Sequence, residues 1–142
     1  MWWRPEKEFA ENSFYVWKMK VDLKCLYLKS TEIMWQGKKL KVEKGDILLD
    51  KDRYSAFFGT PLDLILKDRG VKTVMITGLA SNVCCESTAR EGFFLGYRVM
   101  FVDDLNVTLN DEMHRWAVEN IRLVFGYVLS SDELIEKLQE SS

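Results

Sequence analysis

Long apolar runs are missing from this 142-residue sequence, and so is any excess of basic charge. No stretch approaches the roughly 20 apolar residues of a membrane-spanning helix, and the tryptophan-rich opening Met1-Trp2-Trp3-Arg4-Pro5 does not read as a secretory leader. Lysine and arginine number 20 against 22 aspartates and glutamates, a net charge of −2. That balance leaves no electrostatic footprint for nucleic acid or an anionic membrane. Cysteine is sparse and odd in number, three in all, with Cys84 and Cys85 adjacent. Such usage makes no disulfide framework and suits a reducing, cytoplasmic setting. Glutamine is scarce beside abundant lysine and glutamate, a slight lean toward thermal adaptation. Internal repeats and low-complexity segments are absent. What is present, 47% hydrophobic and 30% charged residues, describes one compact domain with a core of its own.

From Gly45 onward, short apolar runs alternate with capped amphipathic ones. Gly45-Asp46-Ile47-Leu48-Leu49-Asp50-Lys51 reads as a strand, and Thr60-Pro61 opens a helix that Arg69-Gly70 closes. Val71 to Thr77 reads as a buried strand and Glu86 to Leu95 as a helix stopped by Gly96. Tyr97 to Val102 is a further strand, ending at Asp103-Asp104. A helix begins at Thr108 to Asp111 and runs to about Val124; Tyr127-Val128-Leu129 is a last strand, and Ser131 or Ser130 caps a closing helix. The order predicts an α/β fold with a parallel sheet covered by helices on both faces. Ligands of such sheets gather at the carboxyl ends of the strands, where Lys51, Gly78 and Asp103 stand. Residues 1–44 form a divergent N-terminal segment before a core at 45–142. Phe14 to Val21 and Leu23 to Leu28 read as strands there, and Ile33 to Val42 as a hairpin around Gly37.

Gly78-Leu79-Ala80-Ser81-Asn82-Val83-Cys84-Cys85-Glu86 carries the most chemistry. It places a cysteine where a strand ends and a helix begins. Unpaired backbone N–H groups and the helix dipole favour a thiolate at such a turn, and the same N–H groups hold an oxyanion. Read alone, Cys84 is either a reactive thiol or a buried structural one, and Lys51 is a surface lysine at a strand end. Cys85 and Cys25 read as core thiols, Arg90 as an ion-pair partner, and His114 as a helix residue facing solvent or another subunit. Asp103-Asp104 reads as a loop-start pair that caps or binds arginine, with a substitute base as the sharper alternative. The Trp2-Trp3 pair is either a tail packed on a neighbour or an altered start.

Two segments together resemble the isochorismatase-like cysteine hydrolases, a superfamily that includes nicotinamidases. Asp50-Lys51-Asp52-Arg53-Tyr54-Ser55-Ala56-Phe57-Phe58-Gly59-Thr60 is similar to the family's lysine-bearing strand end, and Thr77 to Arg90 to its nucleophile turn. The resemblance implies a three-layer α/β/α Rossmann-like parallel sheet, the isochorismatase-like hydrolase fold, incomplete at the N-terminus. It implies that Cys84 attacks an amide or carbamoyl carbonyl to form a thioester, with Lys51 supporting the cysteine electrostatically. A non-proline cis peptide before Ala80 would turn its N–H, with that of Cys84, toward the oxyanion, and Tyr54 and Phe57 would shape the pocket wall. The family's general base, an N-terminal aspartate in an Asp-x-Gln pattern, has no counterpart here. Asp22 precedes Leu23-Lys24 and lies close to Lys51 in sequence. The N-terminal part is accordingly read as missing, truncated or replaced.

With His114 the sole histidine, the histidines that bind metal in nicotinamidases are absent. No metal and no organic cofactor is expected. The implied partners are a small-molecule amide substrate and further copies of the chain, as dimer or tetramer; nucleic acid and membrane are not. Amide hydrolysis competes with two other readings, a silent scaffold or binding subunit of the same family and, more remotely, a redox-reactive thiol protein.

Overall fold

In a computed structural model, the structure describes residues 46–140 and four strand segments before them. Those segments are β1 (Phe14–Lys18), β2 (Cys25–Lys29), β3 (Met34–Trp35) and β4 (Lys38–Lys39). Then follow β5 (Ile47–Asp50), α1 (Leu62–Asp68), β6 (Thr73–Leu79), α2 (Glu86–Phe94), β7 (Arg98–Val107), α3 (Asp111–Asn120), β8 (Tyr127–Leu129) and α4 (Ser131–Glu140). The alternation from β5 onward is the α/β arrangement that the apolar and capped runs predict. Trp2-Trp3 and Asp22 lie outside the described residues.

Six strands form one sheet in the order β5-β2-β1-β6-β7-β8, while β3 and β4 pair with each other, Met34 opposite Lys39 and Trp35 opposite Lys38. The β2–β5, β6–β7 and β7–β8 pairs are parallel. Strand β1 runs against both neighbours, with Phe14 opposite Gly78 and Lys18 opposite Val74. Strand β6 is central and buried from Val74 to Gly78, which explains its continuous apolar run: helices cover both faces of a sheet built this way. Its neighbours in the core are Leu62 and Leu66 of α1, Ala89 of α2, Phe101 of β7 and Val118 of α3.

The helix ends follow their local chemistry. Thr60 Oγ1 accepts the Leu62 N–H at 3.2 Å, one residue outside the helix that Pro61 leads into. Asn110 caps α3 by accepting the Met113 N–H at 2.9 Å. Ser130 and Glu133 make a reciprocal capping box at the start of α4, the Glu133 N–H reaching Ser130 Oγ at 3.2 Å and Glu133 Oε2 accepting the Ser130 N–H at 2.7 Å. Phe57 is a core side chain, 5% exposed, stacked on Tyr97 with ring centroids 5.6 Å apart.

One expectation about β7 is corrected. Two aspartates normally end a strand, yet β7 continues through Asp103-Asp104 to Val107. Its register against β6 jumps there: Ile76 faces Phe101, but Gly78 faces Asn106. Three more residues are used on β7 than on β6, so β7 bulges locally against its neighbour. The Asn106 amide holds it closed by donating to Ile76 O at 2.9 Å and Val102 O at 2.6 Å.

Candidate active site

A tight π-helical turn, Ser81–Cys85, joins β6 to α2. It begins directly after a cis peptide bond between Leu79 and Ala80, at the position that the resemblance implies. Ala80 O accepts both the Val83 and Cys85 N–H groups at 3.1 Å, so the chain coils tightly enough to set Cys84 over the end of β6. Cys84 is 2% exposed and Cys85 is fully buried in the core. Neither forms a disulfide.

Lys51 follows β5, and its Nζ lies 3.9 Å from Cys84 Sγ, within the range of a sulfur hydrogen bond. The same ammonium donates to Arg53 O at 3.0 Å. Residues 33 positions apart therefore meet at one sheet edge. The loop carrying Lys51 is fastened to the turn from below: Thr88 Oγ1 donates to Cys84 O at 2.7 Å and accepts the Ala56 N–H at 3.0 Å. Tyr54, in that loop, is half exposed.

The electrostatics depart from the expectation of a thiol activated by the turn alone. Burial pushes the Cys84 thiol up, and the Lys51 charge and the Ala80 N–H oppose that rise without cancelling it. Burial likewise lowers Lys51, against the raising influence of the two cysteines. Desolvation disfavours both charged forms, and it wins here because Cys84 lies under the surface rather than on it. Cys85, deeper still, is raised well above the ordinary thiol range by burial first and by Cys84 second.

Behind the turn lies a group that the sequence does not advertise. Ser81 Oγ is 2.8 Å from His114 Nδ1, and His114 Nε2 is 2.7 Å from Asp103 Oδ1. His114 thus lies between the turn and the β7 bulge with about a quarter of its side chain still exposed, because Asn110 starts α3 where the bulge brings Asp103 alongside. Thr108 Oγ1 donates to Asn82 Oδ1 at 2.6 Å, securing the next residue of the turn. The second aspartate caps, as read: Asp104 accepts the Ser131 N–H at 2.7 Å and the Ser131 hydroxyl, which hold its carboxyl below the usual range against an opposing burial effect. Arg90 pairs with Glu86 through Nε at 3.0 Å and Nη2 at 2.6 Å, its guanidinium 4.2 Å from the Phe125 ring centroid. Ser81, His114 and Asp103 are separated by 33 and 11 positions, so no local spacing reveals them. The only hint is that Asp103 and the start of α3 share the edge that ligands use. Among the described residues, no three His, Cys, Asp or Glu side chains gather as metal ligands. No helix of the described chain is long and apolar enough to cross a membrane.

This geometry sits in a chain with known relatives. The family model for the Isochorismatase domain matches residues 36–133. An isochorismatase-like hydrolase from Alkaliphilus metalliredigens is 33% identical, with 69% of this chain and 53% of that one covered and a TM-score of 0.67. A cysteine hydrolase from Pseudomonas syringae is 29% identical over 72% of this chain and 53% of its own, with a TM-score of 0.69. A pyrazinamidase/nicotinamidase from Streptococcus mutans is 34% identical over 61% and 49%, with a TM-score of 0.59. The chain spans about half the length of the structures it matches. With this match across more than half of its residues, the chain belongs to the isochorismatase family.

Proposed function

We propose that this protein is a cysteine amidohydrolase acting on a small amide or carbamoyl compound through a thioester. The observation that carries the proposal is the 3.9 Å approach of Lys51 Nζ to Cys84 Sγ at the head of a helix. Family members similar to this chain include a cysteine hydrolase and nicotinamidases. In the proposed reaction, Cys84 sulfur forms a bond to the carbonyl carbon while the carbonyl π electrons move onto oxygen. The Ala80 and Cys84 N–H groups receive that oxyanion, and Lys51 stabilises the thiolate as it forms. Collapse breaks the C–N bond, and the proton released by the thiol leaves with the amine. Water then cleaves the thioester to the acid and restores the thiol. Tyr54 is assigned to the substrate side of the lysine loop; Phe57, packed on Tyr97, supports that loop from the core.

Ammonia release from a panel of small primary amides, nicotinamide among them, tests the proposal. Activity on at least one amide that disappears in Cys84→Ala supports it, and equal inactivity of both proteins across the panel overturns it. The silent-subunit reading is favoured by one observation, the upward push of burial on the Cys84 thiol.

Self-association is part of the same proposal. Phe94, Leu123 and Trp116 expose 73%, 77% and 60% of their surfaces and are the apolar side chains that a subunit contact would cover. Sedimentation at micromolar concentration is expected to show dimers or tetramers. The two free buried thiols fit a reducing compartment such as the cytoplasm.

A further inference from the structure

We infer that His114 is a positioning residue for the nucleophile turn, acting through Ser81 and oriented by Asp103. The inference rests on Cys84 being the reactive thiol, but not on any turnover by this chain. Three observations converge. Ser81 is the first residue of the turn and is wholly buried, and its C=O receives the Glu86 N–H that closes the turn. Its hydroxyl meets His114 Nδ1 at 2.8 Å, and Asp103 Oδ1 meets the other ring nitrogen at 2.7 Å. The β7 bulge that presents Asp103 is itself fixed by the buried Asn106 amide.

The chemistry of these partners dictates the direction of each bond. An ionised carboxylate only accepts, so Nε2–H donates to Asp103. In the neutral ring Nδ1 then has a lone pair, and the Ser81 hydroxyl donates to it. Protonation puts a hydrogen on Nδ1 and reverses that bond: the ring donates, and the Ser81 hydrogen must find another acceptor at the root of the turn. The charge of one imidazole therefore sets the hydrogen-bond polarity three residues before Cys84. Among the described residues, the groups that meet the ring are Ser81 from the turn and Asp103 from β7, the rest of it being part-exposed, while the charged neighbours on α3, Asp111, Glu112 and Arg115, are exposed. Inversion of the usual serine–histidine–aspartate order (here Nδ1 faces the serine) and full burial of Ser81 make it a strut rather than a second nucleophile.

Because His114 is the only histidine in the chain, its ring signals in an NMR titration need no assignment. The test follows those signals and, in parallel, the rate of iodoacetamide alkylation of Cys84 in the unmodified protein from pH 5 to 9. The alkylation profile is expected to bend at the pH where the His114 signals titrate. His114→Ala is expected to slow alkylation about tenfold above that pH, the loss of one buried hydrogen bond. His114→Gln, whose amide offers one acceptor and one donor, is expected to restore the rate above the bend and to remove the bend itself. A wild-type profile with no inflection at the His114 titration overturns the inference, whether or not the variants fold. So does a folded His114→Ala protein with unchanged Cys84 kinetics. Neither outcome depends on amide hydrolysis, so a failure here is distinct from a failure of the ammonia assay.

Discussion

Replacing Lys51 by methionine isolates the charge beside Cys84, because methionine keeps an apolar stem of similar length. At 3.9 Å, opposite unit charges attract by about 1 kcal/mol in water and about 4 kcal/mol at an effective dielectric of 20. Lys51 is half-buried, so the value falls between those limits. With about 1.4 kcal/mol per pKa unit, losing the charge raises the thiol by roughly one to three units. At fixed pH the thiolate fraction then falls about 10- to 1,000-fold. A more basic thiolate is also a better nucleophile, with a Brønsted coefficient of about 0.4–0.5, which restores nearly half of that exponent. The net expectation is alkylation of Cys84 slowed roughly 3- to 50-fold at pH 7.5, with the midpoint of the pH profile moved upward. Timed iodoacetamide labelling with tandem mass spectrometry separates Cys84 from Cys85 and reads both quantities. An unchanged rate and midpoint in a folded Lys51→Met protein would refute the reasoning.

Other perturbations test the surrounding framework. Cys85 has a folded pKa well above its unfolded one, so both states hold the proton at neutral pH and only the unfolded chain releases it first on titration. The stability it contributes is therefore lost as pH rises. In urea unfolding, the gap between the wild type and Cys85→Ala is expected to close by about 1.4 kcal/mol per unit above about pH 9; a constant gap contradicts the assignment. Arg90→Met leaves the Glu86 carboxylate, 12% exposed, with the Asn120 amide at 3.2 Å, and is expected to cost roughly 1–3 kcal/mol. Adding Glu86→Gln is expected to recover part of that loss, and purely additive costs would show that the pair is not coupled. Gly126→Ala would bring a Cβ to 2.6 Å from Val99 O, so the backbone must shift. A loss of about 1–3 kcal/mol is expected by thermal melting, against no change if the β7–β8 contact is looser than described.

The meeting of the cysteine turn and Lys51 at one sheet edge was readable because each rests on a motif of consecutive residues. A buried strand followed by a run of small residues leaves little freedom for where Cys84 goes, and Arg53 to Thr60 similarly marks the end of β5. The cis bond before Ala80 was implied by the resemblance alone, and Arg90 read as an ion-pair partner without its Glu86 partner being identified. The protonation of Cys84 was not, because desolvation depends on what the rest of the chain lays over the sulfur. The extension of β7 past Asp103-Asp104 was equally hidden: two aspartates look like a strand end unless an amide at Asn106 is known to cross to Ile76. The partners of His114 were hidden for a related cause, since they come from another strand and another turn. Strand β1 shows the limit from the other side, as periodicity sets a strand's faces but not its direction in the sheet.

One buried hydroxyl has the last word on how the site responds to a guest. Thr88 Oγ1 bridges the Cys84 carbonyl and the Ala56 amide, so the lysine loop and the cysteine turn are tied through one hydroxyl besides the Lys51–Cys84 contact. Their spacing is then a property of the scaffold and persists when either charge is neutralised. A substrate of the proposed reaction would not need to draw two halves together, and little of its binding free energy would go into ordering the walls. Under that proposal sensitivity to substrate shape would be high and adaptability low.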